Sequence, residues 1–120
     1  MPTLQLHTNV TVAPERRPEL LARLSAAVAE LLGKPESYVM VLLDDGRALS
    51  LGGSAEPAAL LELLSLGLPE RETPRHARAL CALCETLLGV PERRVYIDFR
   101  SPPRHLFGWN GGTFQDPRRD

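Results

Sequence analysis

The sequence predicts an α+β fold of two layers, in which a four-stranded mixed sheet carries two helices on one face. Two observations support this prediction: a motif that occurs twice in the chain, and apolar residues at helical spacing before each copy. The motif Leu-Leu-Gly-x-Pro-Glu-x-x-Val-x-Val/Ile begins at Leu31 and again at Leu87, an offset of 56 residues in a chain of 120. An offset of nearly half the chain indicates a tandem repeat of one structural unit.

Each copy of the motif predicts the end of a helix, a turn and the start of a strand. Gly33 and Gly89 suit the left-handed position that follows a helix, which other residues adopt only at a cost. A proline two residues later, Pro35 or Pro91, prevents the helix from continuing. The Val-x-Val or Val-x-Ile that follows has the β-branched alternation of a strand.

In the first half, residues 4–9 alternate apolar and polar side chains and predict the first strand. A helix follows, with Pro14 or Pro18 in its first turn. Its apolar residues lie at helical spacing on one face: Leu20, Leu21, Leu24, Val28, Leu31 and Leu32. The chain then enters a second strand at residues 39–43, turns at 44–47 and forms a short strand at 48–51.

The second half should also start with a strand, but residues 56–68 give conflicting signals. Their Ala, Leu and Glu content favours a helix, whereas the repeat requires a strand that completes a second βαβ unit. We favour the strand, because tertiary context often overrides propensity. The second helix is expected to have Thr73 as its N-cap and Pro74 at its first position. Its apolar stripe comprises Leu80, Cys81, Cys84, Leu87 and Leu88.

Composition and charge argue against several classes of function. Apolar residues make up 43% and aromatic residues 5%, so the predicted core is aliphatic, and the net charge of −1 gives no basis for binding nucleic acid or a membrane surface. No apolar run reaches the ~18 residues of a membrane span. Without a signal-peptide pattern we expect a cytoplasmic protein, with secretion without a signal peptide left open. The scattered histidines and two cysteines predict neither a metal site nor a cofactor.

Pro2 is the first candidate for catalysis. Aminopeptidases remove Met1 when the next side chain is small, which would leave Pro2 with a secondary amine at the N-terminus. Such an amine can act as a general base if its surroundings keep it neutral near pH 7. The predicted first strand would hold this end in place and prevent it from fraying.

Together with Pro2, a series of short motifs resembles the family of macrophage migration inhibitory factor and D-dopachrome tautomerase. In order, the motifs are Asn9-Val10, Gly33-Lys34-Pro35, Gly52-Gly53-Ser54 with Glu56-Pro57, Ser65-x-Gly67, Arg94-Val95-Tyr96-Ile97 and Gly108-Trp109-Asn110-x-x-Thr113-Phe114. The resemblance covers residues 1–114 as a single domain and leaves 115–120 as a short tail. It implies a tautomerase-type fold of tandem βαβ units, assembled as a homotrimer with active sites at the subunit interfaces. Short strands near 48–51 and 107–109 would extend a neighbour's sheet.

The resemblance also implies a cofactor-independent keto–enol tautomerase that acts on an α-keto acid such as phenylpyruvate, without a metal. Pro2 would be the general acid–base, and Lys34, the only lysine in the sequence, would bind the substrate carboxylate. Tyr96 would come from the neighbouring subunit, and Trp109 would add apolar wall or pack at an interface. The other residues at family site positions are Ser65, Leu66, Asp98 and Phe114.

Differences from the family leave the substrate open. Asp98 replaces an asparagine, and a carboxylate near Pro2 would raise the pKa of its amine unless Asp98 is paired or protonated. Arg100 replaces a tyrosine; Arg100 or Arg104 could pair with Asp98 or bind a second substrate carboxylate. One alternative is therefore another reaction on the same base, which would need arginines in the pocket. The other is a cytokine-like receptor-binding protein with weak or vestigial tautomerase activity.

The cysteines also differ from those of the family. Ala58 and Leu61 replace the Cys-x-x-Cys of the inhibitory factor, so its thiol chemistry does not carry over. Cys81 and Cys84 lie on the predicted second helix instead, where we expect them to pack as small apolar side chains.

Overall fold

The computed structural model describes residues 1–116. In this range the chain forms two α-helices and six strands, joined by loops and single 3-10 turns. In chain order they are β1 (Thr3–Thr8), α1 (Arg17–Leu32), β2 (Met40–Asp44), β3 (Ala59–Leu64), α2 (Thr73–Leu88), β4 (Val95–Arg100), β5 (Gly108–Trp109) and β6 (Gly112–Thr113). The predicted order of two βαβ units is confirmed. Of the expected tail at 115–120, residues 117–120 lie outside the described part.

The main sheet has the strand order β2-β1-β3-β4. Each βαβ unit contributes one parallel pair, β1 with β2 and β3 with β4. The two units join through the antiparallel pair of β1 and β3, in which Leu6 lies opposite Leu61. The sheet is therefore mixed, as the repeat predicted, and β2 and β4 lie at its edges.

The strand β3 forms in a segment whose composition favours a helix. Leu61 and Leu63 are buried on one face, whereas Glu62 and Leu64 are half-buried on the other, so the burial period is two. A strand in this position also pairs its backbone on both sides, with β1 and with β4. Pairing and burial together outweigh a propensity difference of a few tenths of a kcal/mol per residue.

The two helices pack on the same face of the sheet and close an aliphatic core. On α1 the predicted stripe is confirmed, with Leu20, Leu24 and Val28 fully buried. The core cluster takes side chains from both helices and from the central strands: Leu4, Leu6, Leu24, Val28, Ala59, Leu61, Leu63, Leu80, Cys84, Leu87 and Val90. Gly33 ends α1 at φ 63°, and the Lys34 amide donates to the Ala29 carbonyl at 3.0 Å. This closure fixes where the chain at Lys34 leaves the helix.

Two local predictions were wrong. Thr73 is the first residue of α2 and not its N-cap, since a 3-10 turn at Glu70–Glu72 leads directly into the helix and the Thr73 hydroxyl donates to the Glu70 carbonyl at 2.9 Å. Residues 48–51 form no strand within the described chain. That segment contributes only the isolated bridge between Leu51 and Ser54.

The face of the sheet opposite the helices carries a polar group of side chains on β1, β2 and β3, together with exposed apolar side chains on β2, β3 and β4. His7 and Glu62 lie on the two central strands, with Asp44 beside them on β2. Four large apolar side chains of this face are exposed: Met40, Leu42, Leu60 and Tyr96. No helix within residues 1–116 is both long and apolar enough to cross a membrane.

Candidate active site

The N-terminal end of β1 is held inside the protein. Pro2 is less than 2% exposed, and its carbonyl accepts a hydrogen bond from the Met40 amide at 3.0 Å. This bond continues the pairing of β1 with β2 up to the second residue. The Pro2 nitrogen is therefore part of a rigid element, as its position before a strand predicted.

A cavity of about 310 Å³ opens beside this end of β1. Its walls come from the N-terminus, the turn after α1, the end of β3 and the C-terminal segment. The lining residues are Met1, Lys34, Pro35, Tyr38, Leu66, Arg104 and Phe114.

Lys34 reaches the cavity from the turn that ends α1. Its Nζ is half-buried and donates to the Leu66 carbonyl at 3.5 Å. Ser65, only 1% exposed, donates through its hydroxyl to the same carbonyl at 3.5 Å, and its amide donates to the Arg100 carbonyl at 3.0 Å. The backbone at Ser65 and Leu66 is thus fixed on one side by β4 and faces Lys34 on the other.

An aromatic cluster adjoins the cavity through its two lining members, Tyr38 and Phe114. Tyr38 meets Trp109 edge-on with ring centroids 5.6 Å apart, and Trp109 stacks on Phe114 at 5.8 Å. Phe107 packs against Phe114 at 5.9 Å. Four of the six aromatic residues in the sequence therefore meet here, in a protein whose core is otherwise aliphatic.

The electrostatic environment disfavours a cation at the N-terminus. Burial lowers the pKa of the Met1 amino group, and the positive charges of Lys34 and Arg104 lower it further. Arg104 is held at the cavity by a hydrogen bond from its Nε to the Phe114 carbonyl at 2.9 Å. No aspartate or glutamate is among the residues that line the cavity within the described chain.

The structure brings together some of the predicted site residues and separates others. Lys34, Leu66 and Phe114 line the cavity, with Pro2 and Ser65 directly adjacent to its lining residues. Tyr96 and Asp98 do not line it. Both lie on the open face of the edge strand β4, where Tyr96 is 63% exposed and Asp98 accepts a hydrogen bond from Arg100 Nε at 3.0 Å. The pairing expected for Asp98 is thus made by Arg100, not by Arg104.

Sequence reasoning missed Tyr38 as a lining residue and left the place of Arg104 open. The repeat motif contains a signal for Tyr38, which occupies the eighth position of the first copy, four residues after Lys34. Arg94 occupies the eighth position of the second copy, and its guanidinium donates hydrogen bonds to four backbone carbonyls. Position eight of the motif is therefore structurally specialised in both copies.

The other reactive side chains do not extend this site. Cys81 and Cys84 are free thiols, and burial raises the pKa of both, that of Cys84 to about 12. Such thiols are poor nucleophiles at neutral pH. Within residues 1–116, no three His, Cys, Asp or Glu side chains are arranged to hold a metal ion.

Comparison with known proteins places this geometry in a family. The family model described as macrophage migration inhibitory factor (MIF) matches residues 1–115. The MIF homologue of Trichinella spiralis is 39% identical over 115 residues, which are 95% of this chain and 100% of that protein. The homologue of Trichuris trichiura is 37% identical with the same coverage.

Solved structures agree with the sequence relatives. The crystal structure of a MIF homologue from Prochlorococcus marinus has a TM-score of 0.87 at 38% identity and covers 93% of this chain and 98% of its own. The structure of MIF from Trichinella spiralis has a TM-score of 0.86 at 37% identity and covers 92% and 98%. The chain therefore belongs to the macrophage migration inhibitory factor family.

Proposed function

We propose that this protein is a cofactor-independent keto–enol tautomerase that uses the amine of Pro2, after removal of Met1, as its general acid–base. The observation that carries the proposal is that the Met1 amino group, in a cavity that also holds Lys34, has a lowered pKa. Phenylpyruvate, an α-keto acid with one carboxylate, is the substrate that tests the reaction.

Removal of Met1 would have two effects on the cavity. It would convert the Pro2 nitrogen from an amide into a secondary amine, and it would vacate the part of the cavity that Met1 lines. The new amine would lie one residue deeper than the Met1 amine, so burial, Lys34 and Arg104 would act on it in the same direction. Each pH unit by which they lower its pKa corresponds to about 1.4 kcal/mol in favour of the neutral base.

In the proposed reaction the Pro2 amine takes a proton from the carbon next to the ketone. The electron pair of the broken C–H bond forms the C=C bond of the enol, and the protonated Pro2 amine returns the proton to the ketone oxygen, which restores the neutral base. Lys34 would bind the substrate carboxylate through a charge-assisted hydrogen bond. The Leu66 carbonyl, 3.5 Å from Lys34 Nζ, would keep the ammonium aimed into the cavity, and Phe114 would contact the apolar part of the substrate.

We also propose that the active protein is a homotrimer with its sites at the subunit interfaces. Two features support this: apolar side chains are exposed on both edge strands, and Tyr96 is exposed on β4 although the family uses this position at the site. In a trimer, Tyr96 and Asp98 would reach the cavity of a neighbouring subunit. The bond from Arg100 to Asp98 would then limit how far that carboxylate raises the pKa of Pro2.

The test is phenylpyruvate tautomerisation by wild-type protein and Pro2→Gly, with intact mass establishing that Met1 is absent from both. We expect kcat/KM to fall by about a hundredfold or more in the variant, the usual contribution of a general base. Pro14→Gly, an exposed proline before α1, is the matched control. A second variant with alanine inserted before Pro2 keeps the ring but leaves its nitrogen an amide, and it should be equally inactive.

Activity that survives both the substitution and the insertion would overturn the role of Pro2. If correctly processed wild type lacks activity, the enzymatic proposal itself is wrong. A cytokine-like receptor-binding role would then be preferred, and it predicts a saturable partner interaction that Pro2→Gly retains.

A further inference from the structure

Two cationic side chains from distant parts of the chain meet at the cavity. Lys34 follows α1, whereas Arg104 lies in a 3-10 turn after β4, and both line the space beside the N-terminus. Their charges are close enough to the Met1 amine to lower its pKa. A substrate with one carboxylate would need only one of them.

Two hydrogen bonds hold Arg104 in this position. The turn that carries it is closed by a hydrogen bond from the Leu106 amide to the Pro103 carbonyl at 2.9 Å. Its Nε donates to the Phe114 carbonyl at 2.9 Å, which links the guanidinium to the aromatic cluster. A guanidinium has five N–H donors in a planar fork, which suits a carboxylate.

Arg100, the other arginine considered from the sequence, lies elsewhere. It extends from the open face of β4 and donates to Asp98 at 3.0 Å, and it does not line the cavity. Within one subunit, Arg104 is therefore the arginine that lines the pocket.

We propose that the preferred substrate is a small 2-oxo dicarboxylate, with Lys34 binding the carboxylate next to the ketone and Arg104 binding the second carboxylate. This inference rests on the proposed tautomerase function and names its substrate class. Loss of a proton from a dianionic keto acid produces a species with a third negative charge. The two cations that line the cavity, Lys34 and Arg104, would stabilise that charge as it develops.

The reaction is the same isomerisation. In oxaloacetate, the C3–H bond lies between the ketone and the second carboxylate. The Pro2 amine takes the C3 proton, the bond pair forms the C2=C3 double bond, and the protonated amine returns the proton to the C2 oxygen, so substrate and product have the same composition. With the second carboxylate bound by Arg104, C3 is held between the two cations.

The aromatic cluster supplies the competing interaction. Phe114, which lines the cavity and on which Trp109 stacks at 5.8 Å, would favour an aryl group such as that of phenylpyruvate over a carboxylate. Arg104 is therefore the residue that sets the preference between the two classes, and the ratio of their kcat/KM values is the quantity to measure.

The experiment compares enol formation from oxaloacetate and phenylpyruvate by Met1-processed protein, in buffer with a chelator to remove metal catalysis. We expect Arg104→Gln to lower the ratio of kcat/KM for oxaloacetate to kcat/KM for phenylpyruvate at least tenfold. Any loss caused by a raised pKa of Pro2 is common to both substrates and cancels in this ratio. Arg104→Lys should recover part of the oxaloacetate rate, because it keeps the charge. Arg23→Gln, at an exposed arginine of α1, should change kcat/KM for neither substrate.

A binding measurement keeps the proposal testable if Arg104→Gln does not fold. Fumarate and crotonate are planar acids that differ in the second carboxylate, and neither is enolised. We expect fumarate to inhibit phenylpyruvate turnover by the wild type at least tenfold more strongly than crotonate does.

Three results would overturn the inference: equal inhibition by the two acids, a parallel loss on both substrates in Arg104→Gln, or wild-type turnover of phenylpyruvate but not oxaloacetate. All three leave the tautomerase function standing. Failure of the wild type on both substrates would instead reject the proposed function.

Discussion

The imidazole of His7 is bound to Asp44 across the pair of β1 and β2, with Nδ1 and Oδ2 2.9 Å apart. The other ring nitrogen, Nε2, lies 3.0 Å from Glu62 Oε2 on β3. A neutral imidazole has one N–H donor, so both contacts are hydrogen bonds only when the ring is protonated. The bond to Asp44 raises the pKa of His7 most, and Glu62 raises it further against the opposing effect of burial.

We expect this cluster to make stability depend on pH. A histidine whose pKa is raised by folding stabilises the protein fully below its usual value of 6.5, and this contribution is lost as pH rises through the folded pKa. Replacing His7 by Gln should therefore destabilise the protein most in mildly acidic buffer and progressively less as pH increases. Urea unfolding at a series of pH values gives the difference in unfolding free energy.

Other charged side chains on the same face lie near the partners of His7 and contribute to the pH dependence of stability. Arg47 lies 3.5 Å from Asp44, and Asp98, paired with Arg100, lies beside Glu62 in register. His105→Gln, at an exposed histidine, is the control and should give no pH-dependent difference. A His7→Gln deficit that stays constant from acidic to basic pH would show that folding does not raise the pKa of His7.

His76 should have the opposite pH dependence. It is 1% exposed on α2, and its Nδ1 has no hydrogen-bond partner in the described chain. Burial lowers its pKa most, Arg75 adds to the lowering and Glu72 opposes it. Because the folded pKa is below 6.5, stability is present above that value and falls as pH drops toward the folded pKa.

We therefore expect His76→Leu to be at least as stable as the wild type at neutral pH and to gain relative to it as the solution is acidified. Removing an unpartnered buried polar atom is worth roughly 1 kcal/mol, provided the leucine fits against Phe99. Thermal unfolding of wild type and variant at neutral and acidic pH measures both effects. A variant that loses stability in acid faster than the wild type would contradict the assignment of a neutral ring.

The loop at residues 49–58 depends on two side chains that bind its backbone. The Arg94 guanidinium donates to four carbonyls: Leu51, Ser54, Glu56 and Pro57. Asn9 accepts a bond from the Ala58 amide at 2.9 Å and donates to three further carbonyls of the loop. The loop has little secondary structure of its own, so these bonds define its path.

Arg94→Lys should cost about 2 kcal/mol, because a lysine cannot make four bonds in one plane and leaves carbonyls without partners. We expect faster amide hydrogen exchange at residues 49–58 and unchanged exchange in α1. The exposed neighbour Arg93 provides the control substitution, Arg93→Lys. Unchanged exchange in the loop would mean that Asn9 alone holds it.

The fold could be predicted from the sequence to the extent that the repeat determined it. The repeat identified β3 against its local propensity, because two copies of one unit constrain each other, and pairing with β1 and β4 satisfies its backbone. The N-cap assignment of Thr73 failed for a local reason. A 3-10 turn continues into α2 without a capping side chain, and no residue pattern distinguishes the two arrangements.

The candidate site could be predicted from the sequence less completely than the fold. Lys34 and Phe114 could be assigned by resemblance, since both fall in motifs of fixed spacing. Arg104 could not, because its place in the cavity depends on how the chain after β4 folds back onto Phe114. The assignment of Arg100 to Asp98 depends on both side chains leaving β4 on the same face, two residues apart.

Lys34 should control the pH dependence of the proposed reaction as well as substrate binding. Its charge lowers the pKa of the Met1 amine, and we expect it to act in the same way on the Pro2 amine of the processed protein. Removing the charge should therefore raise the pKa of Pro2 and favour the protonated, inactive base. We expect Lys34→Gln to lower kcat/KM for phenylpyruvate at least tenfold. The acidic limb of its pH profile should also move to higher pH, since that limb reports the amine of the free enzyme.

The same variant offers a direct measurement of the amine. Lys34 is the only lysine in the sequence, so in Lys34→Gln the N-terminus is the only remaining primary or secondary alkylamine. The rate of its reductive methylation as a function of pH then gives its pKa without catalysis. Wild type, compared by mass spectrometry of the N-terminal peptide, should show the lower pKa, and Arg23→Gln should match the wild type.

Two outcomes would contradict this double role of Lys34. If the acidic limb of the pH profile and the methylation profile both stay in place while kcat/KM falls, Lys34 binds the carboxylate but does not lower the pKa of the base. A shift in the methylation profile without a loss of kcat/KM at high pH would indicate that Lys34 lowers the pKa of the base but does not bind the carboxylate.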